Sequence, residues 1–224
     1  HVYGLFPLIS TLGLYGRRTP LDVFAPAPFG EILESHLRYF DTELPYEVLW
    51  HEVRTTEHAL LYENRTLEVW SIPLRHRVPC AGFLFREKEP PLNVDKFQIV
   101  KYGLSIAQLE NGMLTYRPYA PRSYAYLSDT NFSAKAAELC RGVDLMYHEA
   151  TYAAAEQRSA RDRGHSTTTD AAKAALKAGA RRLVIGHYSS RYKDEGQLVE
   201  EARTLFPESY AAREGTTFTI EKRP

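Results

Sequence analysis

Five side chains able to bind a metal ion or move a proton fall where elements end in the second half of this chain: Asp129, His148, Glu149, His165 and His187. The stretch "RRLVIGHYSSRY" shows the pattern most clearly. Its apolar residues Leu183, Val184 and Ile185 deliver His187 to the point where the chain leaves a strand, a place usually given to Gly, Asn or Asp. Imidazole nitrogen and carboxylate oxygen are donors that zinc prefers, and a carboxylate such as that of Asp129 can bridge two ions. A pair of ions activates water and clamps a phosphate. Taken singly, each residue has a plainer reading. A strand-end histidine such as His187 is more often a hydrogen-bonded structural group. Asp129 and Thr130 can open a turn, Glu149 can be a solvated helix-start charge, and His165 can precede a helix cap with no chemical purpose. Convergence separates the two readings, because independent turn residues have no reason to meet on one edge.

The elements that must position these groups alternate regularly from Ser123 onward. "SYAYLSDT" reads as a strand ending at Asp129, and "SAKAAELC" as a helix with Ser133 as N-cap and Gly142 as the residue beyond its end. "VDLMYHEA" is a strand ending in His148 and Glu149. "TTTDAAKAALKAGA" is a second helix, with Thr167 and Asp170 spaced as a capping box and Gly179 at its close, and "RRLVIGHY" is the third strand. Alternation of this kind predicts βαβ units, with right-handed crossovers and strands buried on both faces. In such sheets the ligand site lies beyond the carboxyl ends of the strands. A strand end also leaves a side chain little positional freedom, as metal binding and proton transfer require.

The first half is less regular. Leu5, Ile9 and Leu12 predict a helix near the amino terminus that closes before Gly16; "LDVFAPAP" reads as a short strand and "GEILESHLRYF" as a helix. "ALLYENRTLEVWSIPLRHRVPCAGFLFRE" reads as antiparallel β structure, rich in aromatic and β-branched residues. Residues 86–121, with Pro90 and Pro91, read as an excursion with short helices. His36 and His51 carry no motif.

At 224 residues and 44% hydrophobic content, the chain is long enough for one substantial domain. Lys plus Arg equals Asp plus Glu at 28 each, so no global field draws it to nucleic acid or membrane, and a polyanion must be met by a local patch. Cys80 and Cys140 make no disulfide framework, which points to a reducing cytoplasm. No apolar run approaches the roughly 20 residues of a membrane span, and no basic-then-apolar leader opens the chain.

At the residues already named, the sequence resembles the ribonuclease Z family, the tRNA 3′-processing endonucleases of the metallo-β-lactamase superfamily. "HVYGL" looks like the end of the family's His-x-His-x-Asp-His motif, with His1 as its last histidine. "PLRHRVPCAGFLF" looks like the next metal motif, carrying His76; "AYLSDT" matches that of the bridging Asp129; "HEAT" sets Glu149; "GHSTT" carries His165; and "GHYSSRY" carries His187. The resemblance spans nearly the whole chain. It implies a four-layer αββα sandwich with two zinc ions at one edge. One ion would be held by the first two histidines of the opening motif with His76 and Asp129, the other by that motif's aspartate with His1, Asp129 and His187. It further implies hydrolysis of the phosphodiester 3′ of the discriminator nucleotide, releasing the trailer and leaving a 3′-hydroxyl, with His165, oriented by Glu149, protonating the leaving oxygen. A tRNA precursor as partner and a homodimer follow from the same resemblance.

Two departures from the family pattern stand out. The chain opens at the last histidine of the first motif, so the strands, two histidines and aspartate general base that should precede it are not in this sequence, and incomplete metal binding is expected of the chain as given. Between Phe85 and Arg122 the family carries an arm with a Gly-Pro motif that grips the tRNA elbow. Here there is no Gly-Pro, and Lys96 and Lys101 are the candidates for phosphate contact. Two other readings compete: a hydrolase of the same fold acting on a small phosphodiester or sulfate ester, since fold does not fix substrate, and a non-catalytic RNA-binding relic.

Overall fold

The computed structural model describes residues 2–40, 44–94, 96–103 and 115–223. The chain opens with α1 (Leu5–Leu14), β1 (Leu21–Ala25), α2 (Pro28–Tyr39) and β2 (Val48–Glu52), and β1 pairs with β2 in parallel. Pro28 starts α2, where its missing N–H costs no helical hydrogen bond. Ile9 is the buried residue of α1, and with Val23, Phe29, Leu33 and Tyr46 it forms a cluster against which Leu5 and Leu12 pack, so the helical spacing in the sequence marks the inward face.

The next strands, β3 (Leu60–Glu63), β4 (Leu67–Pro73) and β5 (Ala81–Glu87), run antiparallel. The excursion contributes β6 (Asn93–Val94), α3 (Lys96–Tyr102) and β7 (Thr115–Tyr116), with β6 paired to β7. Then β8 (Ser123–Leu127) rejoins β5, and the regular alternation begins: α4 (Ala134–Leu139), β9 (Leu145–Glu149), α5 (Gln157–Arg163), α6 (Thr168–Ala178), β10 (Arg182–Gly186), α7 (Gly196–Arg203) and β11 (Ser209–Ala211). β8 through β11 pair in parallel, in a seven-stranded sheet of order β11-β10-β9-β8-β5-β4-β3. The carboxyl ends of β8, β9 and β10 therefore open on one edge.

The expected caps are in place. The Ser133 hydroxyl accepts from the Ala136 amide, Thr167 and Asp170 form a reciprocal capping box, and Gly142 and Gly179 have φ of 73° and 62°. Such a cap stabilises a helix by about 1 kcal/mol. One sheet face buries Ile72, Leu84, Leu127, Met146, Leu183 and Ile185 against α4, α6 and α7. Ala171, Ala172, Ala174, Ala175 and Ala178 are buried on α6, and side chains this small let the helix lie close to the sheet. Truncating Leu183 or Ile185, both fully buried, costs about 2–5 kcal/mol.

The opposite face carries Phe83, Phe85, Tyr124, Tyr126 and Tyr147, with Tyr126 and Tyr147 stacked at 4.7 Å. Phe24 of β1 lines a pocket on this face with Leu61, Tyr62, Val69, Phe83 and Phe85, while Val23 turns to the α1–α2 cluster. Helices, small sheet, large sheet and helices thus follow in αββα order. The sequence reading did not reach α7 and β11. They extend the parallel half by one more βα unit, with Leu198, Val199 and Ala202 of α7 in the common core.

Candidate active site

Two strands of the parallel half, β8 and β10, are followed closely by a functional side chain in an unusual backbone setting. Asp129, just past β8, has φ of 54°, and His187, just past β10, has φ of 60°; they are the non-glycine residues with positive φ among the described residues. Asp and His are enriched in the left-handed region, yet the conformation still costs free energy and clusters at functional sites. This is why a histidine stands where a turn residue is expected: the backbone turns out of the strand at the residue whose side chain faces the site.

Between them, β9 supplies Glu149, which is fully buried. Five donors converge on its carboxylate. Oε1 accepts from the Thr130 amide at 2.7 Å and His165 Nδ1 at 2.8 Å; Oε2 accepts from the Thr151 hydroxyl at 2.7 Å, the Ser166 amide at 3.1 Å and the Thr151 amide at 3.3 Å. Burial pushes this carboxyl up, but the hydrogen bonds from His165 and Thr151, the His165 charge and the Ser166 amide outweigh it and hold the pKa below the ordinary 4.5. The same hydrogen bond raises His165 above 6.5; burial opposes the rise, the charges of Glu149 and Asp129 add to it, and Arg77 works against it.

Asp129, Glu149, His165 and His187 each offer a ligand atom within 4.8 Å of the others. Glu149 is already engaged by its five donors, which leaves one carboxylate and two imidazoles. The Thr151 hydroxyl gives its proton to Glu149, so it accepts from His187 Nδ1–H at 2.8 Å. His187 Nε2 then carries the lone pair of the neutral ring, 3.1 Å from Asp129 Oδ1. A lone pair and a carboxylate oxygen approach this closely only with a cation, proton or metal, between them, so the donor set fits a metal ion. His76 is oriented by the same logic. Its Nδ1 lies 2.9 Å from the Gly164 carbonyl, which can only accept, leaving Nε2 bare, and its ring sits 4.9 Å from that of His165. Gly164 has φ of 82°, and a Cβ there would stand 2.7 Å from His76 Nδ1, so the position requires glycine twice over.

One sequence expectation fails. His148 does not join the cluster, because strand alternation turns it and Met146 to the helix-covered face. It is 2% exposed, its Nδ1 meets the Glu149 carbonyl at 2.7 Å, and burial lowers its pKa, so it is a neutral core residue. His1 lies outside the described residues, as does the side chain of Lys96. Lys101 is exposed on α3, its ammonium 5.2 Å from the Tyr102 ring, and is not part of the cluster. Thr151, the last residue of "HEAT", is the group the sequence reading missed. Its signal was its place two residues after Glu149, where the chain crosses back over the strand ends.

Residues 1–188 match the family model described as a β-lactamase superfamily domain. The chain is 41% identical over 98% of its length to a ribonuclease Z of Bacteroides thetaiotaomicron, covering 75% of that protein. It is 34% identical over its whole length to a ribonuclease Z of Cytophaga hutchinsonii, covering 77% of it. Among solved structures, human tRNase Z, short form, superposes with a TM-score of 0.70 at 24% identity, over 99% of this chain and 75% of that one. A diphosphatase of the PhnP family superposes with a TM-score of 0.58 at 16% identity, over 97% of this chain and 66% of that one.

Proposed function

Because the chain belongs to the ribonuclease Z family of the β-lactamase superfamily, we propose that the edge formed by Asp129, His165 and His187 cuts tRNA precursors on the 3′ side of the discriminator nucleotide, using two zinc ions. At the level of the family the chain is a tRNA 3′-processing endonuclease, a metal-dependent phosphodiester hydrolase. Of this chain's residues, Asp129 and His187, with His76 and His1, would hold the zinc. Zinc bound there supplies an acidified water and positive charge for the phosphoryl oxygens.

The chain's own groups do the rest. The Gly164 carbonyl and the Thr151 hydroxyl fix the tautomers of His76 and His187, so each presents Nε2. Glu149 holds His165 by Nδ1, leaving its Nε2 to give a proton to the departing 3′-oxygen, which becomes the tRNA's 3′-hydroxyl while the trailer keeps the phosphate. The observation that carries this reading is the buried Glu149–His165 pair set beside the Asp129–His187 pair. Residues 1–224 act as one domain, from which 86–121 reach out as a reduced tRNA-binding arm with Lys96 and Lys101. A homodimer accords with the apolar side chains exposed on and beside α1, Leu8, Leu14 and Tyr15. A cytoplasmic setting accords with two free cysteines. No helix among the described residues is long and apolar enough to cross a membrane.

The test is cleavage of a tRNA precursor and of bis(p-nitrophenyl) phosphate by the full-length protein, with zinc counted per chain. Two equivalents and a single cut 3′ of the discriminator are expected. Hydrolysis of the small diester without cleavage of the precursor would move the substrate to small phosphodiesters.

A further inference from the structure

The charge of the whole chain is balanced, 28 basic against 28 acidic residues, but it is not evenly spread around the site. The loop that carries His76 also carries Arg75 and Arg77, and the last turn of α5, which leads to His165, carries Arg161 and Arg163. All four are exposed. Arg122, Arg191, Arg203, Arg213 and Arg223 each pair with a carboxylate. By contrast, the guanidinium groups of Arg75, Arg77, Arg161 and Arg163 have no hydrogen-bond or ion-pair acceptor among the described residues. Asp162, the acid between the last two, lies 3.9 Å from Arg158.

The backbones that bear these arginines are tied to the site and to one another. Thr130, beside Asp129, accepts from the Arg75 amide at 3.1 Å; the Asn131 amide donates to the Arg75 carbonyl at 2.8 Å; the Asn131 side chain donates to the Arg161 carbonyl at 3.3 Å; and His76 meets the Gly164 carbonyl at 2.9 Å. The anchors are therefore fixed while the cationic ends are uncommitted. A favourable interaction with the helix dipole accounts for Arg161 and Arg163 in part. No such reason applies to Arg75 and Arg77, and Arg77 is near enough to His165 to oppose its protonation.

We propose that Arg75, Arg77, Arg161 and Arg163 form a basic rim that holds the RNA phosphates flanking the scissile one. The rim rests on the reading of the site as a tRNA 3′ endonuclease and adds the residues that grip the substrate next to the cut, where a balanced chain must concentrate its positive charge to meet a polyanion. Guanidinium suits this task, being always charged and able to chelate a phosphate with two parallel N–H groups.

The test measures precursor binding and cleavage by the full-length zinc-loaded protein across a salt series. Four variants are compared with wild type: Arg77→Gln, Arg77→Lys, and the double changes Arg75→Gln with Arg77→Gln and Arg161→Gln with Arg163→Gln. Each phosphate contact contributes about 0.7–0.9 to the slope of log K against log salt, so Arg77→Gln is expected to lower the slope by about 1 and each double variant by more. KM for the precursor should rise roughly tenfold per lost charge-assisted contact, with kcat changed less than KM. Arg77→Lys should restore the slope and only part of the affinity. Zinc content and circular dichroism report folding. If wild type cuts the precursor and the glutamine variants keep its slope and KM, the rim is overturned and the endonuclease reading stands. If wild type hydrolyses only the small diester at every salt concentration, the endonuclease reading falls and the rim falls with it.

Discussion

The parallel strands β8, β9 and β10 carry a buried carboxylate near each end, and the two are kept in different company. At the amino ends, Asp144 is 4% exposed and is bonded by the Ser123 amide at 2.9 Å and hydroxyl at 3.1 Å, with Arg181 and Arg223 alongside. At the carboxyl ends, Glu149 is bonded by amides, a threonine hydroxyl and His165. Arginine keeps its proton at any physiological pH, so its pairing with Asp144 is a fixed tie that fastens the segment around Arg223 to the sheet. Histidine titrates near neutrality, so the partner of Glu149 can give up a proton and be held in place while doing so. The partner decides whether a buried carboxylate serves as a clasp or as half of an acid–base pair.

The comparison breaks first at Asp129. Asp129→Ala should remove most of the bound metal and lower precursor cleavage by more than the roughly 100-fold that outer-shell partners typically cost. Elemental analysis reading wild-type metal content would sink the bridging assignment. His165→Ala comes next: zinc retained, kcat down by about 10²–10⁴-fold, the range of a positioned general acid. A variant turning over at the wild-type rate would remove the proton donor.

Glu149→Gln sharpens the contrast through pH. His165 has a raised pKa, so its contribution to stability is complete below about 6.5 and is lost as pH rises through its folded value. Glu149 has a lowered one, so its contribution is complete above about 4.5 and is lost as pH falls through its folded value. Both are present between those limits, and Glu149→Gln should flatten the dependence of Tm on pH on each side while moving the alkaline limb of kcat to lower pH. An unchanged limb would mean that Glu149 does not set the proton affinity of His165.

At the opposite end, Asp144→Ala leaves the Ser123 amide without its acceptor and frees two partly exposed arginines, and should cost about 1–3 kcal/mol in denaturant unfolding, with kcat per folded molecule unchanged. A fall in kcat at full folding would erase the division of labour between the two ends. Thr151→Val lies between the classes: it keeps shape and loses the hydroxyl that orients His187, so metal affinity measured against a chelator should drop about 10–100-fold, with partial recovery in Thr151→Ser. The smallest effect is expected at Lys101→Ala, a change of a few-fold in precursor KM, since one exposed lysine makes one phosphate contact at most.

How much of this was legible beforehand follows from the range of the interactions. The caps at Ser133 and Thr167, the breaks at Gly142 and Gly179 and the three parallel strands depend on neighbours a few residues away, and the sequence carries them openly. Alternation along β9 was legible too, but which face of the strand met the site was not. Glu149 and His148 are adjacent, equally able to bind a metal, and sent to opposite sides by the pleat.

By itself, then, the sequence determined which strands end on chemical groups and, through its ordered motifs, the family to which those groups belong. The tertiary structure decided what each group does there. It buried Glu149 under five donors gathered from four residues, turned Thr151 back to hold His187, tied the His76 loop to Gly164 and left four arginines around the rim without acceptors among the described residues. The physical reason is that hydrogen-bond saturation and charge pairing are properties of space. They are settled by residues far apart in the chain, and no local pattern records which of them will meet.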